Sequence, residues 1–298
     1  MSAPTAVLFD APGPRARRRI LVASVVAGLA LVAVVIAVLA RLAERGQLTE
    51  ELWGPFLNPG NENFVDVWQL IADGLVVTLR AAAVAVVLSI VLGLVIASLR
   101  LSLPRAGRIP VIAVVELLRG LPVIVTLLYV DILMRATGTH QGTEVSLVIG
   151  LTLYNMVIIS EIVRAGIQSL PRGQVEAGLA IGMTPGQVLR SIQLPQAVRA
   201  MLPSLISQLV VILKDTALAS IVLATITDLG KSADTIRGFL DNPLQTYFVI
   251  GLIYIVINLV LSQIARLVQR RMSTARRPRT AATVGVDEGM QLTGGQNT

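Results

Sequence analysis

The chain has 298 residues, of which 54% are hydrophobic and only 14% charged, and its formal net charge is +7. This balance lies far from that of a soluble domain and predicts a protein whose main solvent is lipid. Without cysteine, and with His140 as its one histidine, the sequence excludes a disulfide and a thiolate metal site, and no histidine triad or metal centre is expected. The arginines lie beside apolar runs without interleaved aromatic residues, which argues against nucleic-acid binding.

Three uncharged apolar runs have the length needed to cross a membrane. A helix needs roughly 20 such residues, and residues 20–40, 81–99 and 242–265 supply them. The second run is expected to extend upstream through the region of Asp73. These runs predict three spans and an all-α integral membrane fold.

Three further apolar regions each contain a pair of opposite charges. They are residues 109–130 with Glu116 and Arg119, residues 145–167 with Glu161 and Arg164, and residues 200–227 with Lys214 and Asp215. Because an ionisable group in lipid is costly, we expect these side chains to face the bundle interior or a wet cavity. The first two pairs are spaced to share a helix face, whereas the third pair consists of neighbours that need separate partners.

The arginines also predict the orientation of the six spans, since cytoplasmic loops carry an excess of basic residues. Basic clusters lie in residues 15–19, 100–108, 172–199 and 266–279. The connections 41–69, 135–144 and 228–241 are poor in basic residues and together hold more acids than bases. This pattern predicts that both termini are cytoplasmic and that the acidic connections are external.

The domain organisation follows from these runs. It consists of a cytoplasmic N-terminus (1–19), a first span (20–40), an external segment (41–69), a transmembrane domain (70–269) and a cytoplasmic tail (270–298), which we expect to be disordered because it lacks apolar periodicity. A basic segment before an apolar run also describes a signal peptide. The length of the first span favours an uncleaved anchor.

The segment 172–203 is long for a connection between neighbouring spans. Residues 174–181 predict a short helix ended by Gly182, a residue that accepts the left-handed conformation. A second helix is predicted to begin with Thr184 as N-cap and Pro185 in its first position, and to run to about residue 192 before Leu194 and Pro195 stop it. Two short helices joined by a tight turn form a knob suited to docking on another protein.

The spacing of this segment, Glu-Ala-X-X-X-X-Gly, nine residues, Ile-X-Leu-Pro, resembles the EAA loop of ABC importer permeases. The matching positions, which the resemblance implies are ATPase-coupling residues, are Glu176, Ala177, Gly182, Ile192, Leu194 and Pro195. The third position of the motif is usually Ala and is Gly178 here. Gly costs a helix about 1 kcal/mol relative to Ala, so we expect a looser first helix.

Segments around the loop narrow the resemblance to polar amino acid permeases that serve His, Arg, Gln and Glu. They are residues 73–79, 116–122, 161–167, 170–174, 195–197 and 214–218, and the resemblance covers 70–269. The extra first span and residues 46–53 are similar to the glutamate uptake permeases of Gram-positive bacteria. The implied fold is a type I ABC importer permease with five core transmembrane helices plus one extra N-terminal helix.

The resemblance implies a permease subunit of an ATP-driven importer of a polar amino acid, with glutamate as the first choice, in the bacterial cell membrane. Its implied partners are an ABC ATPase dimer that holds ATP and Mg, a second permease, identical or homologous, and an extracellular solute-binding protein. No catalytic residue, metal or cofactor is expected in this chain. Gly230-Lys231-Ser232 lacks the glycine that a phosphate-binding loop needs five positions earlier, where Thr225 stands.

The candidate pathway or gating residues are Arg119, Glu161, Lys214, Asp215 and Thr216. Two roles are open for the neighbouring Lys214 and Asp215: contact with the carboxylate and ammonium groups of the substrate, or interhelical packing and gating. A secondary transporter or channel also places ionisable residues in apolar spans and is the alternative function. A membrane scaffold or sensor is a third class, and co-purification of an ATPase would argue against both.

One further pattern predicts close helix packing. The small residues Ser89, Gly93 and Ala97 recur every four positions, which brings them to one face of a helix. Small side chains let two helix backbones approach closely in lipid. We therefore expect another helix to lie against this face.

Overall fold

The structure is a computed structural model that describes residues 13–139, 142–223 and 226–274. Every regular element in these ranges is helical. The elements are α1 (Pro14–Glu44), α2 (Glu50–Leu57), α3 (Phe64–Ser102), α4 (Arg105–Gly120), α5 (Val123–Ala136), α6 (Thr143–Gln168), α7 (Arg172–Ala180), α8 (Pro185–Val188), a π-helical turn (Leu189–Gln193), α9 (Leu194–Thr216), α10 (Ala219–Val222), α11 (Leu229–Leu240) and α12 (Pro243–Thr274). His140 and residues 275–298 of the predicted tail lie outside the described residues, whereas residues 270–274 continue α12.

Five helical segments are long and apolar enough to cross a membrane, and a sixth results if a bent pair of helices is counted as one span. They include α1, α3, α6 and α12, which confirms the spans predicted at 20–40, 81–99, 145–167 and 242–265. The prediction that α3 begins upstream of the uncharged run is also confirmed. With 39 residues this helix is about 58 Å long, so it extends beyond the hydrocarbon core.

The predicted span 109–130 is not one straight helix. Helices α4 and α5 meet at a bend of 109°. Leu121 joins them in an extended conformation, with φ −88° and ψ 137°. The cause is Pro122, because a residue that precedes proline is disfavoured in the helical region.

The predicted span 200–227 is also wrong at its C-terminal end. Helix α9 ends at Thr216, and after the short α10 the chain is extended at Leu223. The apolar run continues because Leu223 and Ile226 are buried in the protein. An apolar run indicates that its side chains are removed from water, but this burial does not by itself require a helix.

The chain divides into two compact units. Among the described residues, the first comprises 13–82, 127–139, 142–147, 216–223 and 226–254. Its core joins residues of α2, α3, α11 and α12, namely Phe56, Val67, Ile71, Leu229, Ala233, Ile236, Val249 and Ile250. None of the described residues of α1, which also belongs to this unit, is buried.

Polar contacts tie the segment before α3 to the beginning of α12. The Gln245 side chain donates a hydrogen bond of 2.7 Å to the backbone oxygen of Gln47, and Asn242 donates one of 3.2 Å to Leu52. Trp53 lies edge-on to Phe248 with ring centroids 5.7 Å apart. Residues 47–57 are therefore a folded part of the first unit.

The second unit comprises, among the described residues, 83–126, 148–215 and 255–274. Its core joins α3, α6, the π turn and α9 through Ala97, Ile159, Val163, Ile167, Leu189, Ala197 and Leu205. A Cβ on Gly93 would lie 2.7 Å from Cγ2 of Ile159 and 3.0 Å from the backbone oxygen of Met156. This contact between α3 and α6 confirms the close approach predicted from the small residues.

Candidate functional site

The knob predicted between the spans begins with α7 and turns at Gly182. This glycine has φ +86°, in the left-handed region, as predicted for the end of the first helix. Its N–H donates to the backbone oxygen of Leu179 at 3.0 Å, and the N–H of Met183 donates to Gly178 at 3.1 Å. These bonds satisfy carbonyls that would otherwise be free at the helix end.

The second half of the knob begins at Thr184 and Pro185, as predicted. The Thr184 side chain accepts a bond of 3.4 Å from the N–H of Gln187, whose side chain accepts one of 2.8 Å from the N–H of Thr184. This reciprocal pair is a capping box, a motif that the spacing Thr-X-X-Gln signals in the sequence.

The prediction that Leu194 and Pro195 stop the helix is wrong. A π-helical turn follows α8, and the N–H of Leu194 donates to the oxygen of Leu189, five residues back. Helix α9 then continues directly from Leu194. Proline lacks an N–H and crowds the preceding turn of an α-helix, and a wider turn placed before it accommodates both restrictions.

Gly178 holds the two halves of the knob close together. It is buried, and a Cβ at this position would lie 2.9 Å from Cγ2 of Val188 and 3.1 Å from Cδ1 of Ile192. The expectation that glycine here loosens the first helix stays a prediction, and the structure adds a packing role. A missing side chain lets α7 approach α8 and the π turn.

The six motif residues divide between the surface and the packing of the knob. Glu176, Ala177, Gly182 and Pro195 are exposed, whereas Ile192 and Leu194 are partly buried. Ile181, beside the turn, is 78% exposed and Leu179 is 45% exposed. The knob therefore presents an apolar tip with an acidic residue nearby, and its partly buried leucine packs against the core of the second unit.

Glu161 is the centre of a charge cluster on α3 and α6. Its carboxylate pairs with Arg100 and with Arg164, whose Nη2 lies 2.8 Å from Oε2. Arg164 also donates a bond of 2.7 Å to Gln168. The Glu161–Arg164 spacing confirms the predicted shared face. Arg100, which the sequence indicated only as a marker of orientation, is 9% exposed. It follows Ala97 by three residues and so lies next to the face of Ser89, Gly93 and Ala97. This spacing is the feature of the sequence from which the contact with α6 could have been predicted.

Arg119 pairs with Glu116 at 3.1 Å, which confirms that the two share a helix face. About half of each side chain is exposed, so this chain does not itself bury the pair. The break after Gly120 places both charges at the end of α4. Their mutual pairing, and not burial within this chain, satisfies their charges.

Lys214 and Asp215 have separate surroundings, as predicted. Lys214 is exposed, whereas Asp215 is hydrogen-bonded to the side chain of Asn155. Gln208, two turns before Asp215 on α9, donates a bond of 2.8 Å to the same Asn155. Asn155 and Gln208 were not among the predicted site residues. Each could have been found from the sequence because it is the one amide side chain in a long apolar run. Asn155, Gln208 and Asp215 form a polar row between α6 and α9.

Thr216, the fifth candidate, belongs to the first unit and is fully buried. The side chains of Thr216 and Thr78 lie against the hydroxyl of Tyr254. Thr78 also accepts a bond of 3.0 Å from the N–H of Leu229 at the start of α11. Within the ranges that the structure describes, no ion pair joins any two of the five pathway candidates.

Gly230, Lys231 and Ser232 lie in the first turn of α11. Asp228 caps this helix by accepting a bond of 2.9 Å from the N–H of Lys231. Burial raises the pKa of Asp228 to about 6. A carboxyl already occupies the end of the helix where a phosphate would bind. The described residues hold no cluster of three or more His, Cys, Asp or Glu side chains that could bind a metal ion.

Comparison with known proteins places these features in a family. The sequence model of the protein family described as binding-protein-dependent transport system inner membrane component matches residues 89–274. These residues include the knob and the polar row. The glutamate transport system permease protein GluD of Corynebacterium glutamicum is 36% identical over 241 residues, covering 79% of this chain and 85% of that protein. The glutamate/aspartate import permease protein GltK of Escherichia coli is 34% identical over 207 residues, covering 67% of this chain and 92% of that protein.

Solved structures agree with the sequence matches. A crystal structure of an amino acid ABC transporter with histidines matches with a TM-score of 0.64 and 31% identity, and the match covers 70% of this chain and 96% of that one. A chain in an inward-facing structure of the MetNI methionine ABC transporter matches with a TM-score of 0.59 at 21% identity, covering 68% of this chain and 96% of that one, which shows the fold alone. The chain is a multi-pass membrane protein of the binding-protein-dependent inner membrane component family, and within it a permease subunit of the polar amino acid ABC importers.

Proposed function

We propose that this permease carries glutamate into the cell as one of two permease subunits, identical or homologous, in a complex with an ATPase dimer. The support for the substrate is that two of its relatives, GluD and GltK, bear glutamate in their names. Other polar amino acids are the next candidates. The ATPase subunits hold ATP and Mg, and this chain hydrolyses none.

The observation that carries the proposal is the apolar tip of the knob. Ile181 and Leu179 are exposed beside Gly182, whose positive φ fixes the turn. A contiguous exposed apolar surface with a polar rim is typical of a docking site for another protein. In the proposed complex this tip, together with Glu176, seats in a groove of the ATPase and transmits its closure to α9.

The proposed orientation follows the arginines. Both termini and the knob face the cytoplasm, where basic residues flank the spans. Residues 41–69 and α11 then lie on the external side. A solute-binding protein delivers the amino acid to that side.

The polar row and the neighbouring lysine are the proposed substrate path. Asp215 is fixed by Asn155, and one of its carboxylate oxygens is buried without a hydrogen-bond partner among the described residues. Lys214 is exposed beside it. Together they offer a negative and a positive group to the ammonium and carboxylate of an amino acid. Glu161, already paired with two arginines, serves in gating, as do Arg119 and Thr216.

Uptake of radiolabelled glutamate by cells expressing the whole operon tests the proposal. Gly182→Val should abolish uptake and reduce the ATPase that co-purifies, because a β-branched residue is strained at positive φ. Gly186→Ala is the matched control, since Gly186 lies on the same knob with no atom within 4 Å of its Cβ position and no positive φ.

Each alternative gives a different result in this assay. Uptake that persists after deletion of the ATPase supports a secondary transporter and overturns the coupling proposal. If glutamate is not taken up but another amino acid is, and that uptake depends on the ATPase, the proposal that glutamate is the substrate is overturned. The proposal that the permease is coupled to the ATPase then stands.

A further inference from the structure

A groove of about 420 Å³ runs between α3 and the junction of the π turn with α9. It is lined by Leu94, Val95, Ser98, Leu99, Ser102, Arg190 and Leu194. The five α3 residues lie in two adjacent rows of the helix, each with a spacing of four, so they form one continuous strip. The groove is apolar along most of its length and ends in two hydroxyls and a guanidinium.

Most of the arginine charges near this groove lack counterions among the described residues. Arg100 is neutralised by Glu161, but no ion pair among the described residues involves Arg190, Arg105 or Arg108. All three are exposed. The groove therefore has a positively charged mouth and an apolar floor.

We propose that this groove binds one anionic phospholipid of the cytoplasmic leaflet, with Arg190 on the phosphate and an acyl chain along Val95 and Leu99. This inference rests on the orientation given under the proposed function. A guanidinium forms two parallel hydrogen bonds to a phosphate, and the Ser102 hydroxyl adds a donor. Basic pockets between membrane helices on the cytoplasmic side suit anionic headgroups.

The lining favours a lipid over an acidic protein surface. Val95 and Leu99 are exposed side chains of α3, a helix that crosses the membrane, and Val95 with Leu94 forms the half of the groove that leads into the apolar run. A cytoplasmic protein could contact Arg190 but could not fill that half. A lipid satisfies both halves with one molecule, because its headgroup and chain are joined.

The position of Arg190 gives the lipid a defined structural role. Arg190 lies in the π turn, where the knob continues into α9. Ser98 and Ser102 lie on α3, and Ser98 is tied to its own helix by a bond of 2.8 Å to the oxygen of Leu94. A lipid whose phosphate accepts hydrogen bonds from Arg190 and Ser102 braces the π turn against α3.

Native mass spectrometry of the purified permease–ATPase complex tests the site, with phosphatidylglycerol and phosphatidylcholine offered in equal amounts. The native complex should retain phosphatidylglycerol preferentially. Arg190→Gln should weaken its apparent affinity about tenfold, the size of one lost charge-assisted contact. Arg199→Gln is the control, because Arg199 is an exposed arginine of α9 that does not line the groove. Inorganic phosphate should not compete.

A second variant tests the apolar half independently. Val95→Trp fills the floor and leaves all charges in place, so it should also reduce phosphatidylglycerol retention. Equal retention by the native complex and by both variants overturns the proposal. Loss of the ATPase from Arg190→Gln with phosphatidylglycerol still bound also overturns it and assigns Arg190 to the protein interface. The assay measures no transport, so failure of glutamate uptake leaves its result unaffected.

Discussion

Arg100 of α3 and Glu161 of α6 form an ion pair across 61 positions of sequence, and Arg164 adds a second cation to the same carboxylate. The side chains of Arg100 and Glu161 are 10% and 19% exposed. A pair so far removed from water is held in place by its partners, because each charge alone would be costly. The cluster therefore fixes α3 against α6.

Glu161→Gln should destabilise the protein by about 3 kcal/mol, because it leaves the buried guanidinium of Arg100 without its carboxylate. The measurement is the melting temperature of the detergent-solubilised protein. The control Glu116→Gln breaks the half-exposed pair with Arg119 and should cost about 0–1 kcal/mol. Arg100→Met combined with Glu161→Met should recover part of the loss. Equal melting temperatures for the two single variants would contradict a structural role for the cluster.

Gly93→Ala should cost about 1–3 kcal/mol, because its Cβ would be forced against Ile159 and the backbone of Met156. Gly28→Ala is the matched control on α1. Nothing lies within 4 Å of a Cβ at Gly28, so its greater helix propensity should leave stability unchanged or slightly raised. Thermal unfolding of both variants decides the matter, and a Gly93 variant as stable as the native protein would refute the close approach.

Gly178→Leu should separate the two halves of the knob. Overpacking of about 2 kcal/mol corresponds to roughly thirtyfold faster amide exchange in residues 184–193 when exchange proceeds by local opening. Gly173→Leu changes a glycine of the same helix with nothing within 4 Å of its Cβ position, and should leave exchange unaltered. Hydrogen–deuterium exchange with mass spectrometry makes the comparison. Unchanged exchange in the Gly178 variant would show that the knob does not depend on this contact.

Asp228→Asn should stabilise the protein near pH 7 by at most about 3 kcal/mol. Burial raises the pKa of Asp228 to about 6, above the value of 3.8 that applies to the unfolded chain. The folded protein therefore binds a proton between about pH 4 and 6 that the unfolded chain releases, and native stability falls as the pH rises through this window. The variant keeps a good N-cap and loses this dependence.

Melting temperatures measured between pH 4 and 7 provide the test. The native protein and Asp228→Asn should converge toward pH 4 and differ most above pH 6. Asp234 has a pKa lowered chiefly by its hydrogen bond from Tyr247, so its contribution is lost only as the pH falls through its folded value. A constant difference between the two proteins across the window would disprove the titration of Asp228.

The spans could be predicted where length and lack of charge decide the structure, as in α1 and α12. The first half of the knob and the start of its second half could be predicted because Gly182, Thr184 and Pro185 act locally. The bend at Leu121 also had a local signal in the following proline, which an analysis of hydropathy overlooks.

The contacts that organise the candidate site could not be predicted in the same way. Arg100 and Glu161 meet only because α3 and α6 pack together, and Asn155 meets Gln208 for the same reason. One sequence gives no distances between helices. The π turn was missed because it depends on how the chain accommodates Pro195 within a continuing helix, for which a stop and a widened turn are competing solutions.

The π turn joins the second half of the knob to α9 as one continuous helix. From Pro185 to Thr216 the chain remains helical, with no loop to absorb movement. The extra residue in the turn shifts the rows of side chains by about 100° around the axis, since each residue of an α-helix contributes that rotation. A sideways push on the tip therefore acts on α9 as a torque as well as a displacement. Tightening or relaxing the π turn would therefore rotate α9 about its axis.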